Sequence, residues 1–296
     1  MSTPRWAVRC PAKVNLMLRV RGRRDDGYHE LDTVFQAIDL WDTVEIRPAE
    51  TLSLSCDDPA LPVDQDNLVL RAAELLLERL ARRQLGGALA LRKEIPTRAG
   101  LGGGSSDAAG TLLLCSQFWG LDADRETLAM LAADLGADVP FFLVGGTARG
   151  RGRGDRIERL EPLPAREVVL GIPAFGISTA EVFGTLASRL TLPRNGVNFL
   201  APSAHKLPEE KDFPVAVNDL ERVVFEDWPE LKGFRDALTG VGAERALLSG
   251  SGSAVYGLFR GAEEADSAAH RLRAGFSRWR VLRSRTVRDA AYRIGS

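Results

Sequence analysis

A glycine-rich stretch from Ala99 to Ala109, with the sequence AGLGGGSSDAA, constrains the fold of this chain more than any other feature. It precedes an alanine- and leucine-rich segment, for which we predict a helix from Ser106 to Trp119. Glycine loses more conformational freedom on folding than any other residue, so ordered glycines need a local reason. A flexible linker does not fit the short interval between the neighbouring strand and helix. The stretch is therefore a tight structural turn or a loop that lets a negatively charged group approach its backbone.

The position of the glycines in front of a helix favours phosphate binding. The first amide groups of a helix have no partner within it, and the helix dipole adds positive potential there. Ser105 and Ser106 add hydroxyl groups that can donate to phosphate or bind magnesium. The chain has no Gly-Lys dipeptide and so no Walker lysine, and Gly100 to Ser105 is a poor match to the dinucleotide fingerprint. A purely structural turn remains the alternative.

Size and patterning predict two domains of mixed structure. The 296 residues are 45% hydrophobic and 27% charged, which is typical of a soluble globular protein. Helical and strand-like patterns mix without regular alternation, which predicts the α+β class rather than a doubly wound parallel sheet. A run of Arg-Gly dipeptides and the proline-containing segment Glu161 to Pro164 mark a change of composition. We therefore predict domains at residues 1–160 and 161–296.

Composition argues against several function classes. The formal net charge is −1 and no aromatic residues are interleaved with basic ones, so a nucleic-acid partner is not expected. The three cysteines include no Cys-x-x-Cys pair, so we expect neither a disulfide framework nor a zinc site, and a reducing cytoplasm fits best. No apolar run reaches the roughly 20 residues of a membrane span, so no membrane partner is expected. A monomer and a homodimer both stay open.

Two charged residues are candidates for chemistry beside a phosphate loop, because phosphoryl transfer needs a cation and a group that orients or deprotonates the acceptor. Apolar residues at alternate positions from Val14 to Val20 predict a strand with Lys13 and Asn15 on its polar face. Asp138 lies between a helix-ending glycine and the sequence VPFF, so we expect it to be partly buried. Lys13 and Asp138 are the candidate catalytic residues, with helix capping as the alternative for Asp138. No metal ligands are predicted, since no cluster of carboxylates marks a dedicated site.

Three segments, Pro11 to Leu16, Pro96 to Ser106 and Leu248 to Ser253, resemble the three motifs of the GHMP small-molecule kinases in their order. The resemblance implies a two-domain fold, with an N-terminal domain like the second domain of ribosomal protein S5, a ferredoxin-like C-terminal domain and an active site between them. It implies ATP as cosubstrate, with Mg²⁺ arriving on ATP, Asp138 as the base or orienting group and Lys13 as its support. It also implies an ATP site formed by Asn67 near the adenine and by Pro96, Thr97, Arg98, Ala99, Gly100, Leu101, Gly102, Gly103, Gly104, Ser105 and Ser106.

Four further motifs resemble the members of this family that act on a cytidine-diphosphate-linked sugar alcohol. They are Asp26 to Leu31, Gly136 to Phe141, Gly176 to Thr179 and Asn218 to Glu221. The resemblance implies a small-molecule acceptor carrying a cytidine diphosphate group. The acceptor residues that it implies are Asn15, Tyr28, His29, Thr179 and Phe183. Family members that act on homoserine or mevalonate are the alternative, and an inactive nucleotide-binding homologue is a further one.

The segment from Arg149 to Arg156 is more basic than the family pattern. A solvated connection between strands is the simplest interpretation of alternating arginine and glycine. The functional alternative is that one or two of these arginines screen the diphosphate of the acceptor.

Overall fold

The chain folds around two sheets. The computed structural model describes residues 6–80, 85–189, 216–288 and 294–295. Its strands, in chain order, are β1 (Trp6–Arg23), β2 (His29–Arg47), β3 (Leu52–Cys56), β4 (Gly87–Arg92), β5 (Thr147–Gly152), β6 (Arg156–Arg159), β7 (Glu167–Ile172), β8 (Val217–Asn218), β9 (Arg245–Leu248), β10 (Val255–Phe259), β11 (Arg280–Arg285) and β12 (Ile294–Gly295). The first sheet has the order β12-β1-β2-β4-β3, with β5 paired to β2 and β6, and β8 paired to β1. The second sheet is antiparallel, with the order β11-β7-β10-β9.

Helices cover these sheets. They are α1 (Leu68–Leu80), α2 (Gly103–Phe118), α3 (Arg125–Leu135), α4 (Val139–Val144), α5 (Thr179–Arg189), α6 (Glu221–Asp227), α7 (Pro229–Gly240) and α8 (Ala262–Gly275). Helix α2 is the central helix of the first core, because its alanine- and leucine-rich sequence leaves it apolar nearly all round and buried against α1, α4 and β1. The combination of mostly antiparallel sheets with helices confirms the predicted α+β class.

A third cluster of buried side chains joins the two sheets. Val14 and Leu16 of β1 belong to it together with Leu170 of β7 and Tyr256 of β10. The Tyr256 hydroxyl donates to the backbone carbonyl of Asn15 at 2.8 Å, which ties β10 to the strand that carries Lys13. These contacts pack one sheet against the other and fix their relative position, which a site formed by both halves of the chain requires.

The chain passes from the first sheet to the second between β6 and β7, at residues 160–166. The predicted division near residue 160 falls in this connection and stays a prediction. Two later strands, β8 and β12, return to the first sheet by pairing with β1. In the parts of the chain described above, every helix is too short or too polar to cross a bilayer.

Candidate active site

The glycine-rich stretch forms the N-terminal turn of α2. The helix begins at Gly103, three residues before the predicted start at Ser106, and its N-cap Gly102 has a φ of 71°. The Ser106 amide donates to the Gly102 carbonyl at 2.9 Å, which is four residues earlier in the chain. The amides of Gly103, Gly104 and Ser105 come before this bond and have no acceptor within the helix, so they are donors at the positive end of the helix dipole.

Only some of these glycines are required by the fold. A Cβ on Gly100, whose φ is 72°, would lie 2.0 Å from the Ser249 carbonyl oxygen. A Cβ on Gly102 would lie 2.7 Å from Cζ of Phe142. In contrast, a Cβ on Gly104 would have its nearest neighbour at 3.7 Å, which is an ordinary contact. A structural turn therefore accounts for Gly100 and Gly102 but not for Gly104.

A cavity of about 610 Å³ lies in front of this loop and is lined by residues from both halves of the chain. Most of the predicted site residues line it: Lys13, Asn15, Asn67, Pro96, Thr97, Arg98, Ala99, Gly100, Leu101, Gly102, Gly103, Gly104, Ser105, Asp138, Thr179 and Phe183. Three predicted residues do not line it: Ser106, Tyr28 and His29. Ser106 is fully buried inside α2, so its side chain lies beneath the loop. The roles assigned to all of these residues stay predictions.

Lys13 and Asp138 are in contact at this cavity. The Lys13 Nζ lies 3.3 Å from the Asp138 Oδ2 and donates to the Asn15 Oδ1 at 2.7 Å. The Asn15 amide in turn donates to the Thr33 hydroxyl at 2.8 Å, which fixes its orientation. The Lys13 side chain is 4% exposed and that of Asp138 is 36% exposed. A buried ammonium thus holds a carboxylate that remains open to the cavity.

The Asp138 side chain is not used to cap helix α4. It occupies the N-cap position of α4, where Pro140 lies in the first turn. Within the described residues, its side chain makes no capping hydrogen bond to that turn. The capping alternative is therefore not supported.

Asn67 has a structural task in addition to its place at the cavity. Its Oδ1 accepts from the Val69 amide at 3.0 Å, which caps the start of α1, and its Nδ2 donates to the Pro62 carbonyl at 2.8 Å. The side-chain amide is therefore held in one orientation beside the glycine loop. A fixed amide of this kind can present the same polar edge to each ligand that enters.

The third motif, Leu248 to Ser253, braces the glycine loop from the second sheet. The Ser249 hydroxyl donates to the Gly100 carbonyl at 2.9 Å, and the Ala254 amide donates to the Ala99 carbonyl at 3.0 Å. The Asn218 amide donates to the carbonyls of Leu248 and Gly250 at 2.9 and 2.7 Å. The loop conformation thus depends on both halves of the chain.

Sequence reasoning missed a buried charge cluster beneath the glycine loop. Lys93, at the end of β4, pairs with Asp42 and lies 2.7 Å from the Asp107 Oδ2. Asp42 also accepts from the two backbone amides that follow Lys93, at 2.6 and 2.9 Å. Burial raises the pKa of Asp107 to about 8, against the lowering influence of the Lys93 ammonium, and the Asp42 charge adds to the rise. Lys93 therefore links the residues before the loop to the helix after it.

The aromatic residues predicted for cytidine form a group at the cavity edge. The rings of His29 and Phe183 stack with centroids 4.9 Å apart, and Phe183 lines the cavity. Burial lowers the pKa of His29, helped by the Arg23 charge, and its buried Nε2 has no hydrogen-bond partner among the described residues. Tyr28 is 56% exposed, with the Arg153 guanidinium 5.3 Å from its ring centre. Only Phe183 of the three thus reaches the cavity directly.

The basic segment is a hairpin rather than a solvated connection. Residues 147–159 form β5 and β6, and β5 pairs with β2. Arg149 donates to both oxygens of Asp32 at 2.7 and 2.8 Å, and Arg153 lies 2.7 Å from Asp155. These two arginines already have carboxylate partners, which the spacing of the sequence does not reveal.

Comparison with known proteins places this geometry in a family. The model described as GHMP kinases N terminal domain matches residues 67–146, and the one described as GHMP kinases C terminal matches residues 213–278. The 4-diphosphocytidyl-2-C-methyl-D-erythritol kinase of Pelotomaculum thermopropionicum is 43% identical over 265 residues, 88% of this chain and 92% of that protein. The kinase of the same name from Chlorobium luteolum is 40% identical over 274 residues, 92% of this chain and 95% of that protein. The chain belongs to the 4-diphosphocytidyl-2-C-methyl-D-erythritol kinase family.

Solved structures agree with membership in this kinase family. A crystal structure of 4-(cytidine 5'-diphospho)-2C-methyl-D-erythritol kinase is 37% identical, with a TM-score of 0.76 over 95% of this chain and 98% of that one. A homoserine kinase from Cytophaga hutchinsonii has a TM-score of 0.68 at 17% identity, over 99% of this chain and 98% of that one, which is a likeness of fold alone. The GHMP kinase fold expected from the three motifs is confirmed.

Proposed function

We propose that this chain transfers the γ-phosphoryl group of ATP to the 2-hydroxyl group of 4-diphosphocytidyl-2-C-methyl-D-erythritol, a reaction of the non-mevalonate route to isoprenoid precursors. The observation that carries the proposal is the contact of Lys13 with Asp138 in a cavity that the glycine loop also lines. Relatives that cover most of the chain are named for this activity. Homoserine and mevalonate are disfavoured as acceptors, because the solved kinases of those names compared with the chain are at most 19% identical to it.

Asp138 orients the acceptor hydroxyl and takes its proton, and Lys13 holds the Asp138 carboxylate in place. Their contact of 3.3 Å and the exposure of Asp138 to the cavity support this assignment. Because phosphoryl transfer passes through a loose transition state, positioning contributes more than basicity. An inactive homologue is disfavoured because both residues are present and in contact.

The glycine loop holds the phosphates of ATP through the first amides of α2, and Asn67 lies near the adenine. Mg²⁺ bound to ATP would neutralise phosphate charge. The residues present fit such an ion, because Ser105 would offer a hydroxyl and Asp138 one carboxylate oxygen, while the phosphates would supply the remaining ligands. No set of three or more metal-ligating side chains occurs in the described part of the chain.

The acceptor is recognised through its cytidine at the end of the cavity lined by Phe183 and Thr179. Stacking of His29 on Phe183 holds the phenyl ring in place. The His29 Nε2, which has no hydrogen-bond partner among the residues that the structure describes, provides a polar atom beside it. Tyr28 joins this site only by moving from its exposed position. The cytoplasmic location and the oligomeric state stay predictions.

The experiment that tests the proposal measures ADP release by the purified chain with ATP and three acceptors: the cytidine-diphosphate-linked methylerythritol, homoserine and mevalonate. We expect kcat/KM for the first to exceed the others by at least a hundredfold, because remote binding of cytidine positions the reacting hydroxyl. Preferential use of homoserine or mevalonate would refute the proposal.

A further inference from the structure

Two highly charged ligands must share a cavity whose own side chains offer little net positive charge. Its described ionic residues are three cations, Lys13, Lys93 and Arg98, and three acids, Asp66, Asp107 and Asp138. ATP and a diphosphate-linked acceptor together bring several negative charges, which a low-dielectric cleft must compensate. The useful cation is therefore one that the protein itself has not already neutralised.

Two of the three cations are engaged by carboxylates. Lys13 contacts Asp138 at 3.3 Å and is almost fully buried. Lys93 pairs with Asp42, which is completely buried, and also contacts Asp107. Neither ammonium can reach a ligand phosphate without leaving a carboxylate unpaired, which is expensive at buried positions.

Arg98 is different from both lysines. It lies in the glycine loop, lines the cavity and is exposed. No described carboxylate lies within ion-pair distance of its guanidinium, and no described residue accepts a hydrogen bond from it. Its aliphatic stem lies close to Gly176, where an added Cβ would be 2.7 Å from the Arg98 Cβ and 3.4 Å from its Cδ. The stem thus packs beside the segment before α5 while the charged end stays exposed.

The backbone at Arg98 supports a role for this side chain. Its φ is 52°, the left-handed region, and it is the one non-glycine with a positive φ among the described residues. That conformation strains a residue with a Cβ, whereas glycine adopts it freely. In a loop with four nearby glycines, an arginine at this position is explained by what its guanidinium does.

We propose that the Arg98 guanidinium binds phosphate oxygens of a ligand in this cavity, either the phosphate chain of ATP or the diphosphate of the acceptor. A planar guanidinium pairs with phosphate through two parallel hydrogen bonds, and such charge-assisted bonds are about twice as strong as neutral ones. Arg98 lies between the glycine loop and the segment before α5, so it borders the proposed sites of both ligands. The ATP alternative rests on the glycine loop alone, whereas the acceptor alternative also rests on the proposed function.

The test compares Arg98→Gln, which removes the charge and keeps a Cβ in the strained backbone conformation, with Arg98→Gly, which relieves the strain. Arg271→Gln, on the exposed face of α8, is the control for the loss of one positive charge. Calorimetry gives the Kd of each protein for ATP, for CDP and for cytidine. We expect both Arg98 variants to weaken one phosphate ligand roughly 10- to 100-fold, from the loss of a charged hydrogen bond, with the control within twofold of wild type. Arg98→Gly should melt at the wild-type temperature or above.

Comparison of the Kd values for ATP, CDP and cytidine identifies which ligand supplies the phosphate. Weaker ATP binding with unchanged CDP binding assigns Arg98 to the nucleotide, and weaker CDP binding with unchanged cytidine binding assigns it to the acceptor diphosphate. The proposal is overturned if both Arg98 variants bind ATP and CDP within twofold of wild type, or if Arg271→Gln weakens them equally. If the wild-type protein binds ATP but not CDP, the proposed acceptor is contradicted. The Kd values of the Arg98 variants for ATP then test the proposal for Arg98 independently.

Discussion

Replacing Gly104 by alanine separates a phosphate-binding loop from a structural turn. Gly104 lies in the first turn of α2, exposed at the cavity, and a Cβ there meets nothing closer than 3.7 Å. The fold therefore accepts alanine without strain. If the glycine is present only for conformational reasons, the variant loses nothing. If phosphate oxygens approach this backbone, the new methyl group occupies their space.

The substitution should raise the stability of the protein and lower its affinity for ATP, and the two changes are measured separately. Alanine in a helix is more stable than glycine by roughly 0.5–1 kcal/mol, which raises Tm by about 1–3 °C in a chain of this size. Loss of one hydrogen bond from a backbone amide to a charged phosphate costs about 1.5–3 kcal/mol, which raises the Kd for ATP roughly 10- to 150-fold. A protein that is more stable but binds ATP poorly is the expected outcome.

Isothermal titration calorimetry gives the Kd of the variant for ATP, and differential scanning calorimetry gives its Tm. Gly233→Ala is the matched control. Gly233 lies inside α7, far from the glycine loop in the chain, and a Cβ there meets nothing within 4 Å. The control should gain the same stability and bind ATP as wild type does. An unchanged Kd for ATP in Gly104→Ala would refute the close approach of phosphate to this turn and restore the structural alternative.

The remaining predictions concern the acceptor side and the buried charges. Asp138→Asn and Lys13→Ala should each lower kcat by about 10²–10⁴-fold with ATP binding retained, and near-normal turnover of folded Asp138→Asn would remove it from the mechanism. Phe183→Ala should lower kcat/KM roughly 10- to 100-fold for the cytidine-linked acceptor but not for methylerythritol phosphate, and an equal loss for both would contradict the cytidine site. Because the raised pKa of Asp107 means that the folded state holds its proton more tightly, this group favours folding less as pH rises from about 4 to about 8. In urea titrations, the free energy of unfolding of Asp107→Asn should therefore rise relative to that of wild type as the pH increases from 5 to 8. A difference between the two proteins that does not depend on pH would show that this carboxyl does not titrate in that range.

Local patterns predicted the parts of the site that lie close together in the chain. Alternation in β1 predicted that Lys13 and Asn15 share a face, and they are joined by a hydrogen bond of 2.7 Å. The glycine stretch predicted a helix start, but α2 begins three residues earlier, at Gly103. Packing of α2 in the first core outweighs the weak helix propensity of glycine, which propensity alone cannot anticipate.

Contacts between distant residues could not be predicted from one sequence. The cluster of Asp42, Lys93 and Asp107 forms only because β2, β4 and α2 meet in the fold. The Arg149 side chain pairs with Asp32, which is 117 positions away, so a run that suggested a solvated connection is a paired strand. Opposite charges on neighbouring strands come into contact only when the pairing register of the strands places them side by side.

The position of the new phosphate group tests the central claim most directly. Carbon 2 of a 2-C-methyl sugar alcohol bears no hydrogen, so a phosphate ester on its hydroxyl has no proton three bonds from phosphorus. The account predicts that the reaction of the wild-type protein with ATP and the cytidine-linked acceptor yields ADP and a product with one new monoester signal in the ³¹P spectrum, unsplit by three-bond coupling. The signal should fail to appear with Asp138→Asn under the same conditions. A split signal, which places the phosphate on a primary or secondary hydroxyl, or ADP release without a new ester would contradict it.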